Sequence, residues 1–280
     1  MRRLALIGWA LSACATSVGP ASTPQEPAAL DAQRGGAPAD TPAPLPVSAA
    51  TADVVDTVPG VVPPKDEPYL LPLPEVAERM QGVAMRAANV SSNDCLQQLR
   101  TGQLPFARVG AADGVATPVR MQGPLGDVDF RVPPPKTPFG VLDCRLALAL
   151  NELSPVLRAH EVRSLRIDSF YRPRAKLPGR KNKKSQHAYG LAADVVSVTL
   201  DDGRTLDIER DFHGQMGKPV CGPDAYLDPP TDEAIRLRNL VCELARGGYF
   251  HHLLTPNHDQ AHRNHLHLDI KRDNRWFSVE

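Results

Sequence analysis

The chain has 280 residues, with 32 basic and 32 acidic side chains, 28 Pro, 5 Cys, 42% apolar residues and 5% aromatic. A formal charge of zero excludes a general electrostatic grip on nucleic acid. No apolar run nears the roughly 20 residues that span a bilayer, which excludes a polytopic membrane protein.

In chain order, Arg2 and Arg3 precede an apolar stretch from Leu4 to Ala13, and Leu11-Ser12-Ala13 lead into Cys14. A basic start, a short apolar region and small residues before a cut site predict a secretory signal over residues 1–13. The tetrapeptide L-S-A-C resembles the bacterial lipobox, whose Cys becomes the lipidated first residue of the mature protein. The resemblance implies lipidation of Cys14, and Ala15 rather than Asp after it implies the outer membrane. The chain is then expected on the periplasmic side of a bacterial envelope, touching the membrane only through a lipid anchor.

Residues 14–75 are expected to form a Pro/Ala-rich tether. Ten prolines fall between Ala15 and Asp66 without sustained periodicity, so too little apolar surface can be buried to offset the ordering entropy. About 50 residues span roughly 40 Å as a coil or about 150 Å as polyproline, either of which is a useful reach toward a cell wall. The remaining residues, 76–280, are read as one domain and a monomer. With Cys14 consumed by lipid, Cys95, Cys144, Cys221 and Cys242 are left. An even number in an oxidising compartment predicts two disulfides with three possible pairings, and no C-x-x-C pair is present to suggest structural zinc. Proximity in sequence favours Cys95–Cys144 and Cys221–Cys242, because shorter loops close more readily.

Within the domain, Leu146, Leu148, Leu150, Leu153 and Leu157 predict a helix over Leu142 to His160, with Pro155 expected to kink or break it. Val162 to Phe170 alternates as a strand. Ala192 to Leu200 is a Val/Thr-rich strand, Asp201-Asp202-Gly203 is a turn, and Arg204 to Glu209 is expected to return as its hairpin partner. Thr231 caps a helix through Ala234, Leu237, Leu240, Val241 and Leu244 that ends at Gly247-Gly248. Tyr249 to Leu254 and His265 to Ile270 complete the strands. Helices flanking an antiparallel sheet give an α+β fold.

Nine histidines are present, and six lie between His251 and His267. In a strand, His265, His267 and Asp269 share one face while Leu266, Leu268 and Ile270 share the other. The apolar face belongs to the core, so two imidazoles and a carboxylate stand side by side on the opposite face. Upstream, His187 precedes a Gly turn and Asp194 enters the next strand among valines, an unfavourable place for a carboxylate unless it is paired or bound to a cation. One His, one Asp and a later His would leave a fourth position free, as catalytic zinc requires. His258 and His262 are four apart, but Asp259 and the turn signal Pro256-Asn257 argue against a zinc helix there. His251 and His252 read as ordinary strand residues, His160 and His213 as surface side chains. Asp269 reads as the partner of a ligating His.

Ser185-Gln186-His187-Ala188-Tyr189-Gly190-Leu191-Ala192-Ala193-Asp194 resembles the S-x-H-x-x-G-x-A-x-D motif of the zinc D-Ala-D-Ala peptidases and murein endopeptidases, which share the hedgehog-type fold. His265-Leu266-His267 is similar to their second motif, H-x-H, and His262 stands three residues before it, as in penicillin-insensitive murein endopeptidases. Ser169-Phe170-Tyr171-Arg172-Pro173 resembles their S-x-Y-R-P segment. Residues 135–275 are most similar to the bacterial extensin-like C-terminal domain. Those domains carry a Cys between the Tyr and the Arg, whereas Tyr171 and Arg172 are adjacent here, a departure that bears on the disulfide pattern.

The resemblance implies a zinc peptidase acting on peptidoglycan peptide stems, as a D,D-endopeptidase or carboxypeptidase. It implies His187, Asp194 and His267 as zinc ligands and His265 as general base. It also implies Arg172 at the oxyanion or the substrate carboxylate, and Ser185 and Tyr171 at the substrate. Seven basic residues between Arg172 and Lys184 read equally as a device that steers anionic stems or as a solvated loop. The alternative function is a non-catalytic peptidoglycan-binding lipoprotein. A structural extensin is weaker, because the tether lacks repeated Ser-Pro runs.

Overall fold

The structure, a computed structural model, describes residues 67–280. The expected signal peptide, Cys14 and the tether as far as residue 66 therefore lie outside the described residues. The helices are α1 (Val76–Arg79), α2 (Val83–Asn89), α3 (Ser92–Thr101), α4 (Cys144–Ala159), α5 (Ile208–Asp211) and α6 (Asp232–Arg246). The strands are β1 (Phe106–Arg108), β2 (Pro118–Met121), β3 (Asp129–Arg131), β4 (Leu142–Asp143), β5 (Val162–Ser169), β6 (Lys176–Leu177), β7 (Arg180–Lys184), β8 (Ala192–Leu200), β9 (Thr205–Asp207), β10 (His252–Leu254), β11 (Leu266–Asp269) and β12 (Ser278–Val279).

Seven strands form the main sheet in the order β12-β10-β11-β8-β5-β3, with β9 pairing β8 off that path. The centre is antiparallel, as the short hairpin connections require, but β3 joins β5 and β12 joins β10 in parallel. The α+β class holds, and the sheet is mixed rather than antiparallel throughout. A small sheet β1-β2-β4 and the hairpin β6-β7 stand apart from it.

Helix α4 supplies much of the core, since its leucines at helical spacing are buried. Pro155 does not break it. The proline forfeits one backbone bond, yet the last turn closes through the His160 N–H on the Val156 and Leu157 carbonyls. Buried Leu153 and Leu157 hold that turn against the core. Helix α6 starts where its cap predicts, the Thr231 hydroxyl accepting from the Ala234 N–H at 3.2 Å. The Asp201–Gly203 turn is present, with Gly203 at φ 88°. The returning strand is shorter than expected. Asp207 accepts from the Glu209 and Arg210 N–H groups and so caps α5, which ends the strand after three residues.

The packed unit also reaches back before residue 76, into the segment read as tether. Tyr69 is 5% exposed, its N–H donates to Asn239 Oδ1 at 3.0 Å, and Arg246 donates to the Pro68 carbonyl at 2.8 Å. One aromatic side chain and two hydrogen bonds to α6 give Pro68–Leu70 a reason to be ordered.

Both expected disulfides are formed. Cys95–Cys144 staples α3 to the start of α4 with a Cα–Cα distance of 6.1 Å, and Cys221–Cys242 ties the preceding loop to α6 at 5.6 Å. They close segments of 49 and 21 residues, for which loop-closure entropy lost from the unfolded chain is worth about 4 and about 3 kcal/mol. Chemical denaturation of Cys95→Ser/Cys144→Ser protein should therefore show a larger stability loss than Cys221→Ser/Cys242→Ser protein. An equal or reversed order would mean that local packing, not chain entropy, sets their worth.

His251 is fully buried, stacked on Phe277 with ring centroids 5.1 Å apart, and its Nδ1 accepts from the Lys271 N–H at 3.0 Å. Burial pushes its pKa down to about 4. Because the folded value lies below the unfolded one, the unfolded chain binds the proton first as pH falls. Stability is then full above the unfolded value and is lost progressively between about pH 6.5 and pH 4, by up to roughly 3 kcal/mol from this residue. Thermal unfolding across that window should show a shallower decline in His251→Gln than in the wild type.

Candidate functional site

Three neighbouring strands place the site. In the register of β8, Asp194 lies across from His267 of β11 on one side and Ser169 of β5 on the other. His187 arrives from the 3-10 turn Gln186–Tyr189 that feeds β8. The Ser185 hydroxyl caps this turn by accepting from the His187 N–H at 3.3 Å. Gly190 ends it at φ 64°, and a Cβ there would stand 2.8 Å from the Asp143 nitrogen. Only glycine combines that left-handed conformation with so close an approach, and the resulting fold-back brings His187 over Asp194.

The converging atoms form a triangle. His187 Nε2 is 2.9 Å from Asp194 Oδ1, His267 Nδ1 is 3.0 Å from the same oxygen, and the two nitrogens are 3.1 Å apart. Each imidazole has its other nitrogen engaged. His187 Nδ1 lies 3.0 Å from the Phe170 carbonyl, and His267 Nε2 lies 3.3 Å from Asp269 Oδ2. Both partners are pure acceptors, so those nitrogens carry the protons and the inward ones present lone pairs. With both rings neutral, two nitrogen lone pairs and a carboxylate oxygen would face one another with no proton between them. A cation resolves that conflict.

A tetrahedral zinc with bonds of ~2.0–2.1 Å separates its ligand atoms by roughly 3.3 Å, close to the edges of this triangle. The outward hydrogen bonds of both histidines are those that fix the tautomer of a metal-ligating imidazole. The residues present could therefore hold one such ion.

Without a metal, a proton on His267 takes the cation's place beside Asp194. All three side chains are buried, His187 completely. Burial holds His187 below its ordinary pKa. Burial would raise Asp194, but its contacts with His187 and His267 outweigh it and keep the carboxylate well below its usual range. Burial would likewise lower His267, yet the bonds to Asp194 and Asp269 prevail and push it up to about 9. Asp269 Oδ1 is buried without a hydrogen-bond partner. Two buried carboxylates around these imidazoles call for a positive charge.

His265 stands beside the triangle, with Nε2 3.5 Å from Asp194 Oδ1 and Nδ1 3.0 Å from Asn264 Oδ1, so Nε2 carries its free lone pair. Burial pushes its pKa down to about 4, against the pull of Asp194. Arg172 Nη1 pairs with Asp194 Oδ2 at 2.9 Å, and the Ser169 hydroxyl donates to the same oxygen at 3.3 Å. Arg172 thus holds the carboxylate by the oxygen that faces away from the triangle. Its side chain is 42% exposed and lines a cavity of about 520 Å³ together with Ser185, His262, His265, His267 and Asp269.

Tyr171, expected at the substrate, is not brought to this cavity. Its ring packs with Val115 and Val141, and its hydroxyl donates to the Asp113 carbonyl at 2.8 Å. Its place in the motif reflects packing. The Phe170 carbonyl behind His187 escaped sequence reasoning, because a backbone acceptor leaves no mark in a sequence, and Asn264 behind His265 was given no role there. Asp269 is in the place read for it. His160 pairs with Glu243 at 2.7 Å, away from the site.

His258, Asp259 and His262 also lie close enough to be considered as ligands. Their chemistry differs. Asp259 Oδ1 already accepts from the Ala261 and His262 N–H groups at 2.9 and 3.1 Å and faces His262 Nδ1 at 2.7 Å, while His258 Nδ1 faces Glu280 Oε2 at 2.9 Å. The Asp259 oxygen is taken up as the cap of the 3-10 turn Gln260–His262, and the segment forms no α-helix that could align the two histidines.

The fold and site define an α+β domain in which two central strands and the turn before one of them carry a buried His/Asp/His cluster, with His267 lining a cavity. The family model described as Extensin-like protein C-terminus matches residues 93–278, and the chain belongs to that family. The match begins well before residue 135, where the sequence motifs suggested, and takes in α3 and the small sheet. No curated protein and no solved structure matches the chain.

Asp194→Ala should strip the purified protein of most of its divalent metal, whereas Asp259→Ala should keep it. Elemental analysis of the two variants checks this, and full metal retention by Asp194→Ala would sink the ligand set.

Proposed function

We propose that this chain is a zinc metallopeptidase of the bacterial envelope that hydrolyses amide bonds in peptidoglycan peptides, of the D,D-endo- or carboxypeptidase type. The observation that carries the reading is the triangle of His187, Asp194 and His267, beside which His265 and His267 line the cavity. A zinc ion held there would supply the Lewis acidity that amide hydrolysis at neutral pH requires. His265 Nε2 is free to take a proton from an attacking water and deliver it to the departing amine. Those donors of Arg172 not used on Asp194 offer a fork to an oxyanion or a terminal carboxylate.

The hedgehog-type peptidase placement rests on the S-x-H-x-x-G-x-A-x-D and H-x-H motifs. Three residues of those motifs, brought together from separate strands and a turn, are what the chemistry needs. The envelope address rests on Arg2 to Cys14, and the two disulfides agree with an oxidising compartment. Among the described residues no helix is long and apolar enough to cross a membrane, so a lipid on Cys14 would be the means of attachment.

A ligand and a base differ in what their loss does. His265→Ala should keep its metal and lower turnover of purified muropeptides by roughly 10²–10⁴. His267→Ala should lose metal and activity together. Release of metal by His265→Ala would exchange the two roles. A metal-loaded wild type that binds but never cleaves a muropeptide would establish the non-catalytic binding protein instead.

A further inference from the structure

The chain as a whole is neutral, yet the cavity is not. Six cationic side chains line it: Arg172, Lys176, Arg180, Lys183, Lys184 and Lys271. Arg172 is committed in part to Asp194, and Lys184 lies over the Tyr189 ring at 5.6 Å. Lys176, Arg180, Lys183 and Lys271 have no carboxylate partner among the described residues. The acidic groups lining the cavity, Asp259, Asp269 and Glu280, are each already turned toward a histidine. The imbalance therefore lies toward the β6–β7 hairpin, which supplies Lys176, Arg180, Lys183 and Lys184.

Like charges gathered on a rim without counterions raise each other's cost unless something anionic is meant to sit among them. A concave site with low-dielectric walls focuses that field on its contents. A volume of about 520 Å³ admits a short peptide rather than a duplex, and the neutral total charge provides no wider field for a polyanion.

We infer that the cavity selects a short peptide bearing at least two free carboxylates, its acidic part against the β6–β7 hairpin and its scissile amide against the histidine wall. This rests on the hydrolase reading for which bond lies where, but the charge selection itself is a binding property. The hairpin is then a specificity device. Its cations orient the substrate by Coulomb attraction from outside the ligand cluster, so their removal weakens binding without emptying the metal site.

The test measures equilibrium binding of L-Ala-γ-D-Glu-L-Lys-D-Ala-D-Ala to the full-length protein, with His265→Ala protein used if the wild type cuts the peptide. The free-acid peptide is compared with the form amidated at both the D-Glu α-carboxyl and the C-terminus, in about 0.02 M and about 0.3 M salt. The free acid should bind tighter by on the order of tenfold at low salt, with the gap narrowing severalfold at high salt. Arg180→Gln/Lys183→Gln protein should lose most of that preference while its metal content stays at the wild-type level. These exposed hairpin residues tolerate polar replacement, and Arg180→Glu/Lys183→Glu should go further and favour the amidated peptide. Equal binding of the two forms by the wild type overturns the inference, as does a preference that survives the charge reversal. Displacement of the peptide by a single-stranded oligonucleotide at equal concentration would also overturn it, showing a general polyanion field. A protein that holds no metal and cleaves nothing, yet keeps the carboxylate preference, would refute the peptidase reading and leave this one standing.

Discussion

Asp194 is a carboxylate 2% exposed on the central strand of the sheet, and the arrangement around it follows from the need to accommodate that charge. An isolated ion in such a place would be neutralised or would unfold its surroundings. Four side chains answer it: His187 and His267 on one oxygen, Arg172 and Ser169 on the other. Each in turn has a fixed position. His267 is anchored by Asp269, His187 by the Phe170 carbonyl, and Ser169 by its register on β5. The shell is ordered one layer beyond the cluster, which is what keeps donor atoms within tenths of an ångström of a ligating geometry.

The rest of the fold can be understood as the support for that shell. Strand β8 is buried along most of its length, so the strands on either side of it cannot slip by one residue without turning Asp194 or His267 to the wrong face. Gly190 allows the chain to reverse against β4, and the Asp143 N–H donates to the Gly190 carbonyl at 2.9 Å. Asp143 also accepts from the Thr117 and Arg145 N–H groups, which locks the start of α4 beside that turn. Cys95–Cys144 then holds α3 to the same helix end. The site therefore rests on strands, a capped turn and a staple rather than on a loop free to move.

Charge is distributed with the same economy. Most ion pairs among the described residues are surface pairs such as Arg158–Asp201 and Arg236–Glu161, which contribute little to stability. The buried pair Arg145–Asp143 is spent on the turn behind the site. Lys176, Arg180, Lys183 and Lys271, without a carboxylate partner among the described residues, are gathered around the cavity. A chain with equal numbers of acids and bases has in this way become locally polar where a ligand would enter.

Much of the local structure was legible in the sequence. The leucine spacing located α4, the Thr231 cap located α6, the Val/Thr run located β8, and proximity between cysteines paired them. The His187–Asp194 and His265–His267 motifs named the cluster, because metal-binding chemistry restricts residue types and strand alternation restricts their faces. What the sequence could not carry was anything that depends on partners remote in the chain. The parallel edges β3 and β12, the burial of Tyr69, the commitment of the Tyr171 hydroxyl to Asp113 and the role of Arg172 in gripping Asp194 are decided by what packs alongside. The same holds for the hydrogen bonds that occupy Asp259 Oδ1. Residue type and spacing determine which side chains are able to hold a cation. Only tertiary structure decides which lone pairs are left free to do so, because hydrogen bonds to distant backbone and side-chain atoms fix the proton on each imidazole.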